Sequence, residues 1–242
     1  MRRRSFSWRE VIEALEEAIP VYEEGSSVAS LGTLQRFREK AANLVVENAG
    51  EIGILLDGGV GPGEMTKTIL AKFKPKIVLG LDCSIKMLKR ACQRLKDLGV
   101  EFYPIRGVFE YPPLRPQTID LAVFSFSLRD ALNMKQTLSE TKKILKPNGL
   151  VLILDIGKPR SGLLRAIYGF YWLAVVPLIV KVKLGIKGRN PWKEIYPTYR
   201  RLPSNSQLKQ MVSENFKVIT FKEYYLGCVV IALAIKPTSC GG

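Results

Sequence analysis

Apolar and polar positions alternate in blocks along most of the chain, and the spacing within each block separates strands from helices. Short apolar runs predict buried strands at residues 52–56, 77–81, 101–105, 119–125 and 150–155. Amphipathic stretches between them predict helices at residues 64–73, 84–98 and 133–145. Because strands and helices alternate, the pattern predicts a parallel sheet with right-handed crossover connections.

Ahead of the first strand, the pattern predicts two helices. The first, at residues 7–19, opens with a capping box formed by Ser7 and Glu10. The second spans residues 34–48. We interpret residues 1–48 as a helical cap on the domain that follows.

After the fifth strand the order changes. The chain continues with a long apolar segment at residues 163–184, a basic loop, a helix at 206–214 and two apolar runs at 217–223 and 227–235. The two runs are close in sequence and predict an antiparallel pair at one edge of the sheet. We expect a single domain over residues 1–242, in which residues 160–203 form a lid or insert between the fifth and sixth strands.

Composition suits one α/β domain, but the charge is unevenly distributed. The 242 residues are 47% hydrophobic and carry a net charge of +15. Residues 151–242 hold 14 Lys and Arg against 4 Asp and Glu, a net charge of +10. A basic field of this kind attracts phosphate polymers or anionic lipid head groups.

The residue types that bind transition metals are scarce. Histidine is absent, and the four cysteines, Cys83, Cys92, Cys228 and Cys240, lack the spacings of a metal site. This argues against a zinc or iron centre. Met1 and three arginines lead into a charged amphipathic stretch rather than an apolar signal sequence, so we expect a cytoplasmic protein.

The end of the first predicted strand carries the most informative chemistry. Asp57 is followed by glycines at alternate positions, Gly59, Gly61 and Gly63. Glycines permit a tight turn and a close backbone approach to a ligand at the start of the next helix. A carboxylate here would repel a pyrophosphate, but it suits the ammonium group of an amino-acid tail.

A second carboxylate, Asp82, ends the next strand 25 residues after Asp57. Asp82 can accept hydrogen bonds from the hydroxyls of a ribose. Together the two aspartates predict a nucleoside with an amino-acid tail, and adenosylmethionine has both parts. The alternative is a glycine-rich turn that serves only helix packing.

Three further motifs carry a family resemblance. They are Ser125-Phe-Ser-Leu-Arg-Asp130, Ile144-Leu-Lys-Pro-Asn-Gly-Leu-Val-Leu-Ile-Leu-Asp-Ile-Gly-Lys-Pro159 and Tyr22-Glu-Glu-Gly-Ser-Ser-Val-Ala-Ser-Leu-Gly32. They resemble S-F-G-L-R-N, L-K-P-G-G-x-L-L-V-L-E-F-S-K-P and Y-D-x-x-N-x-x-x-S-x-G of the ubiquinone/menaquinone C-methyltransferase family, of the UbiE and MenG type. The resemblance extends over about residues 20–236.

The resemblance implies a fold, a cofactor and an activity. The fold would be the Rossmann-like class I methyltransferase fold: α/β, with a mostly parallel seven-stranded sheet, an antiparallel edge strand and helices on both faces. The activity would be adenosylmethionine-dependent C-methylation of a prenylated hydroquinone-type ring in quinone biosynthesis. The candidate cofactor-binding residues are Asp57, Gly59, Gly61, Gly63, Thr66, Asp82, Cys83, Val108, Phe109 and Ser125.

Several positions depart from the family pattern. Val108 stands where many relatives have Asp or Asn, whose side chain contacts the adenine amino group. Ser26, Leu34, Asn148 and Asp130 replace the family's Asn, His, Gly and Asn. These four departures bear on the quinone substrate more than on the cofactor.

Candidate catalytic residues are Arg129, Asp130 and Tyr22. Methylation at a ring carbon needs the phenol to lose its proton, and without histidine the base would be a carboxylate, a tyrosine or a water. Asp130 and Tyr22 are the candidates for this base. The resemblance places Arg129 in the active site, where its guanidinium stays protonated and could stabilise a phenolate or polarise a water. The alternative is a structural ion pair between Arg129 and Asp130.

Residues 166–180 carry no charge. These 15 residues fall short of the roughly 20 needed to span a bilayer, so we interpret them as a lid over a lipophilic substrate pocket. Basic residues flank the run and could rest on anionic lipid, a peripheral membrane contact. Packing in the core or in a homodimer explains the segment equally well.

Two rival functions share this fold. A nucleic-acid methyltransferase would also explain the basic C-terminal third, because phosphate neutralisation dominates such binding. No N-P-P-Y-type base pocket or appended RNA-binding module is visible, which argues against it. The other rival is a protein that binds adenosylmethionine without catalysis.

Overall fold

The computed structural model describes residues 22–185 and 190–238, together with Glu16 and Ile19. The helix predicted at residues 7–19 therefore lies outside the described residues, apart from its last residue and Glu16.

Within the described part of the chain, seven strands form one sheet with the order β3-β2-β1-β4-β5-β7-β6. The strands are β1 (Ile54–Gly58), β2 (Ile77–Asp82), β3 (Glu101–Arg106), β4 (Ile119–Ser125), β5 (Leu145–Ile156), β6 (Lys217–Tyr224) and β7 (Val229–Ile235). The first five pair in parallel, and β7 pairs antiparallel with both β5 and β6. The predicted fold class is confirmed.

Helices cover both faces of this sheet. They are α1 (Tyr22–Ala29), α2 (Leu34–Asn48), α3 (Glu64–Leu70), α4 (Ile85–Leu95), α5 (Met134–Ile144), α6 (Gly162–Phe170), α7 (Val176–Lys183), α8 (Ile195–Arg201) and α9 (Asn205–Ser213). Side chains of β1 alternate between two cores, because successive residues of a strand point to opposite faces. Leu55 packs with residues of α2 and α3, whereas Leu56 packs with residues of α5 and α9.

The fifth strand begins earlier than predicted. It starts at Leu145 rather than at residue 150, and its pairing with β4 shifts register between Ile119 and Leu121. Asn148 adopts a left-handed φ of 62° within this stretch. The register shift marks a bulge or irregularity in the pairing, and the strand continues through the Lys-Pro-Asn-Gly sequence at residues 146–149.

The apolar segment after β5 forms one continuous helix, which we call the long helix. It runs over the 22 residues Gly162–Lys183 and consists of α6, a π-helical turn at Tyr171–Val175 and α7. Pro177, the second residue of α7, comes just after the wide turn, where the continuous helix accommodates a residue that has no backbone N–H to donate.

The expectation that this segment is too short to cross a bilayer was wrong. Charged residues near both ends, Arg165, Lys181 and Lys183, belong to the long helix and extend it beyond the charge-free run. By length and composition it qualifies as a membrane span, the one such helix among the described residues. Length alone therefore does not decide its role.

A separate cluster joins the long helix to the carboxyl ends of the strands. Trp172, Val176 and Val180 lie buried against Ala29 of α1 and Trp192. The cluster includes Ile156 at the end of β5 and Cys228 just before β7. The segments before β1 and after β5 therefore form a common cover over one edge of the sheet.

Candidate active site

Four polar side chains lie at or next to the carboxyl ends of adjacent strands. The last residues of β2 and β4 are Asp82 and Ser125. The next-to-last residues of β1 and β5 are Asp57 and Asp155. The order β2-β1-β4-β5 makes these strands neighbours, and the direction of chain connection reverses between β1 and β4. Ligands of open α/β sheets bind in the crevice at such a reversal.

The glycine loop after β1 is fastened to the end of β2. The N–H groups of Gly59 and Val60 donate to the carbonyl of Leu81 at 2.7 and 3.1 Å. Gly59 has a φ of 78°, and a Cβ on it would lie 2.4 Å from the Cβ of Ser127. A side chain at Gly59 would therefore be strained and would also clash with the turn after β4.

Asp57 is a buried carboxylate with one oxygen unpaired. Its Oδ2 accepts a hydrogen bond from Thr66 Oγ1 at 2.6 Å, whereas its Oδ1 has no partner among the described residues. Burial raises the pKa of Asp57 to about 6, and the hydrogen bond from Thr66 opposes this rise. A ligand cation would supply the missing partner.

Asp82 is held by backbone groups on both oxygens. Its Oδ1 accepts from the N–H of Ser84 at 2.8 Å and its Oδ2 from the N–H of Gly61 at 2.9 Å. Burial raises the pKa of Asp82 against these hydrogen bonds. Each oxygen retains a second lone pair, so the fixed carboxylate can also accept from ribose hydroxyls.

These residues line a single cavity of about 520 Å³. Ten predicted site residues contribute to its wall: Tyr22, Asp57, Gly59, Gly61, Asp82, Cys83, Phe109, Ser125, Arg129 and Asp130. Three do not: Gly63, Thr66 and Val108. Thr66 lies behind Asp57 and acts on it through the hydrogen bond, and Gly63 precedes α3 with a left-handed φ of 87°.

Arg129 lies in a turn after β4 and is fixed by Asp155. Its backbone N–H donates to Asp155 Oδ2 at 2.9 Å, and its guanidinium donates to Asp155 Oδ1 at 3.2 Å and to the carbonyl of Phe126. Burial alone would lower the pKa of Arg129, but the carboxylates of Asp130 and Asp155 hold it above its usual value. The side chain is therefore a permanent, oriented cation in the cavity wall.

Asp130 and Tyr22 face the same region. Asp130 Oδ1 lies 3.7 Å from Nε of Arg129, and burial raises the pKa of this carboxyl to about 6. Burial also raises the pKa of the Tyr22 hydroxyl, so it stays protonated at neutral pH. The geometry brings all three predicted catalytic residues together.

Two functional candidates lay beyond the sequence reasoning. Arg38, on α2, lines the cavity, and its Nε has no hydrogen-bond partner among the described residues. Asp155 positions Arg129 and is buried beneath it. Asp155 falls within the quoted K-P motif, which signals it; Arg38 carries no local signal because the packing of α2 alone brings it to the site.

The far half of the cavity is aromatic and aliphatic. The cover over the strand ends contributes Phe37, Ile167, Tyr168, Tyr171, Trp172, Trp192, Ile195 and Tyr225, and the turn after β4 adds Phe126. The cavity thus joins a polar half at the strand ends to an apolar half beneath the helices, with Arg129 and Asp130 in the shared wall. Among the described residues, no cluster of three or more His, Cys, Asp or Glu side chains could hold a metal ion.

Comparison with known proteins identifies the family of this chain. Residues 5–236 match the model of the ubiE/COQ5 methyltransferase family. The chain belongs to that family. It is an adenosylmethionine-dependent methyltransferase, so the predicted family and cofactor are confirmed.

Individual relatives agree over nearly the whole chain. A ubiquinone/menaquinone biosynthesis C-methyltransferase UbiE of Geobacter sulfurreducens is 25% identical over 239 residues, covering 96% of this chain and 90% of that protein. A demethylmenaquinone methyltransferase of Lactobacillus johnsonii is 27% identical over 232 residues, covering 94% and 93%.

Solved structures support the fold. A methyltransferase of Thermotoga maritima, described as a possible histamine N-methyltransferase, has a TM-score of 0.61 at 19% identity and covers 93% of this chain and 99% of its own. A geranyl diphosphate C-methyltransferase of Streptomyces coelicolor has a TM-score of 0.59 at 12% identity, covering 81% and 75%. At these identities the likeness concerns architecture alone.

The residues present fit adenosylmethionine. Asp57 Oδ1, Arg38 Nε and Ser125 Oγ are buried polar atoms without a hydrogen-bond partner among the described residues, and all three side chains line the cavity. An unpaired buried polar atom is costly, so such atoms mark places where a ligand completes the hydrogen bonding. An acceptor and a cationic donor are the pair that an amino-acid zwitterion requires.

Proposed function

We propose that this protein methylates a ring carbon of a prenylated hydroquinone-type substrate in quinone biosynthesis. One observation carries the proposal: a single cavity joins a polar half suited to a nucleoside to an apolar half suited to a lipophilic ring, with Arg129 and Asp130 in the shared wall. The names of the Geobacter and Lactobacillus relatives agree with this substrate class.

In the polar half, each end of the cofactor meets a complementary group. Asp57 Oδ1 would accept from the ammonium, Arg38 would donate to the carboxylate, and Asp82 would accept from the ribose hydroxyls. Phe109 packs edge-on against Phe124 with ring centroids 5.8 Å apart, which provides a fixed apolar surface for the adenine. When bound, adenosylmethionine supplies a methyl group activated by a positively charged sulfur.

Arg129 and Asp130 prepare the acceptor ring. Asp130, with a pKa of about 6, is mostly ionised at neutral pH and can take the phenolic proton. Arg129, oriented by Asp155, stabilises the phenolate that forms, and the hydrogen of the methylated ring carbon then leaves as a proton, which restores the aromatic ring. Tyr22 is protonated and donates a hydrogen bond rather than serving as the base.

The apolar half holds the prenylated ring and excludes water. Its aromatic walls come from α2, the long helix and the segment around Trp192, which close over the strand ends. Positioning the ring carbon beside the transferable methyl group contributes much of the rate. Peripheral contact of a cytoplasmic enzyme with the membrane and a homodimeric state complete the proposal.

A direct assay tests this function. Purified protein is incubated with isotopically methyl-labelled adenosylmethionine and a prenylated benzohydroquinone or naphthohydroquinone, and the product is analysed by mass spectrometry. The expected result is one labelled methyl group on a ring carbon. Cofactor binding without turnover on any prenylated hydroquinone would contradict the proposal, and salt-sensitive methylation of RNA would replace it.

A further inference from the structure

The long helix has two apolar faces, and only one is buried. Trp172, Val176 and Val180 pack into the cover. On the rest of the helix, six large apolar side chains are at least half exposed: Leu163, Ile167, Phe170, Leu173, Leu178 and Val182. A helix of a water-soluble domain normally presents polar residues on its outer side, so an apolar outer surface of this extent is unusual.

The exposed surface continues around the mouth of the cavity. Leu31, in the turn between α1 and α2, is 73% exposed, as is Leu226 in the turn before β7. The hydroxyl of Tyr168 on the long helix donates to the carbonyl of Tyr225, which places that turn beside the helix. Ile167, Leu31 and Tyr225 all line the cavity as well.

The two turns that carry these residues have strained backbones. Leu31, Tyr225 and Leu226 have φ values of 53°, 48° and 52°, in the left-handed region that bulky side chains avoid. Strained residues persist where the surrounding structure enforces them and are concentrated at functional sites. We call the surface formed by Leu31, Leu163, Ile167, Phe170, Tyr225 and Leu226 the apolar rim.

The chain around the apolar rim is strongly basic. Residues 156–193 contain eight Lys and Arg and no Asp or Glu. Lys181 and Lys183 are exposed at the end of the long helix. An apolar surface flanked by exposed cations matches the interface of a bilayer that carries anionic head groups.

We propose that the apolar rim docks the protein on an anionic lipid bilayer, with the mouth of the cavity facing the acyl chains. This rests on the proposed function, because a prenylated substrate dissolved in the bilayer would then enter the cavity without crossing water. The long helix lies in the plane of the interface and does not span the membrane, since its buried face would lose Trp172, Val176 and Val180 from the core.

A second copy of the chain fits this surface less well. Two rims placed together would bring like charges into contact, which costs free energy. They would also close the mouths of both cavities, leaving a lipophilic ring without an entrance. A bilayer complements the charge and delivers the substrate to the same opening.

Vesicle flotation with the full-length protein tests the docking surface. Wild type is mixed at low salt with vesicles of phosphatidylcholine alone or with added phosphatidylglycerol. The rim variant Phe170→Ser/Leu226→Ser removes apolar surface without changing charge or the cavity wall. Its matched control, Leu98→Ser/Tyr103→Ser, removes exposed apolar side chains near β3, at the other end of the sheet.

We expect wild type and the control to float with the anionic vesicles and the rim variant to bind at least tenfold more weakly. Failure of wild type to bind, or equal binding by the rim variant, would overturn the proposal. So would a rim variant that turns a dimer into a monomer in sedimentation equilibrium while its vesicle binding is unchanged.

The experiment separates docking from catalysis, because flotation uses no substrate. A protein that floats through its rim but methylates no hydroquinone would contradict the proposed function and leave the docking surface standing. Conversely, methylation of a short-tailed, water-soluble hydroquinone tests the proposed function without a membrane. This activity should be equal in wild type and the rim variant, since neither Phe170 nor Leu226 lines the cavity.

Discussion

The two halves of the cavity are built by different physical means. At the strand ends, backbone hydrogen bonds fix the ligand-facing groups: Asp82 accepts from two backbone N–H groups, and the glycine loop donates to Leu81. The apolar half is held mainly by side-chain packing between segments far apart in sequence, such as Ala29 with Trp172 and Trp192. We infer a rigid half for an invariant cofactor and an adaptable half for a variable ring and tail.

The largest expected effect lies where the halves meet. Arg129→Ala removes the oriented cation that would stabilise the phenolate, and loss of one such donor lowers kcat by about 10² to 10³-fold. Cofactor affinity should stay within about twofold, because Arg129 belongs to the acceptor side. Calorimetric titration and steady-state kinetics measure the two quantities. Exposed Arg115→Ala is the control. Equal loss of cofactor affinity and kcat would contradict the assignment of Arg129 to the acceptor side.

Asp57→Asn should damage the polar half alone. Removing the acceptor of the ammonium weakens cofactor binding by about 100-fold, the cost of breaking a buried charge pair. Folding stability should rise at neutral pH, because a pKa raised from 3.8 to about 6 means that ionised Asp57 costs the folded state stability as pH rises through this window. Calorimetric titration with the cofactor measures the loss of affinity, and thermal melts without cofactor measure the gain in stability. A variant that is destabilised and binds normally would refute this role.

The pH dependence of kcat reports Asp130. At saturating cofactor and substrate, kcat should fall about tenfold per pH unit below the pKa of about 6, because the protonated carboxyl cannot accept the phenolic proton. Asp130→Asn should lower the plateau and abolish this acidic limb. A variant that keeps the limb would assign the titration to another group.

Arg38→Gln sharpens the description of the polar half. We expect adenosylmethionine to bind about tenfold more weakly, in line with the loss of a hydrogen bond to a charged group. Binding of decarboxylated adenosylmethionine should be nearly unaffected, since it lacks the carboxylate. Exposed Arg36→Gln, on the same helix, is the matched control. Equal loss for both ligands would place Arg38 elsewhere on the cofactor.

The smallest effect is expected from the apolar half. A Cβ at Gly25 would lie 2.0 Å from Cζ2 of Trp192, so Gly25→Ala must displace that ring. Overpacking of this kind costs about 1 to 3 kcal/mol of stability, and the KM for the ring substrate should rise several-fold at constant cofactor affinity. A Cβ at Gly50 would meet no atom of the described residues within 4 Å, so Gly50→Ala serves as the control. An unchanged KM would show that Trp192 does not contact the ring substrate.

The polar half was largely predictable from the sequence because its signals are local. Asp57 and Asp82 each end a short apolar run, and parallel strands bring their carboxyl ends to one edge. Val108 shows the limit of this reasoning, since it is adjacent to Phe109 in sequence yet does not line the cavity. The two residues lie at a turn in which the N–H of Tyr111 donates to the carbonyl of Val108 at 3.3 Å, so their side chains point in different directions.

The cover resisted prediction because its contacts join distant segments. Arg38 reaches the site through the packing of α2, and the aromatic walls come from positions more than a hundred residues apart, such as Phe37 and Tyr225. The charge-free run at residues 166–180 is shorter than the long helix, since charged residues at helix ends can remain helical while their side chains reach solvent. Nothing local in the sequence encodes these juxtapositions.

A crystal structure of the complex with S-adenosylhomocysteine would show whether Asp57 and Asp82 bind the two ends of the nucleoside. We predict that the nucleoside lies across the carboxyl ends of β1 and β2, with its amine hydrogen-bonded to Asp57 and its ribose to Asp82. A closed crevice, or a ligand whose phosphates occupy the glycine loop, would contradict it.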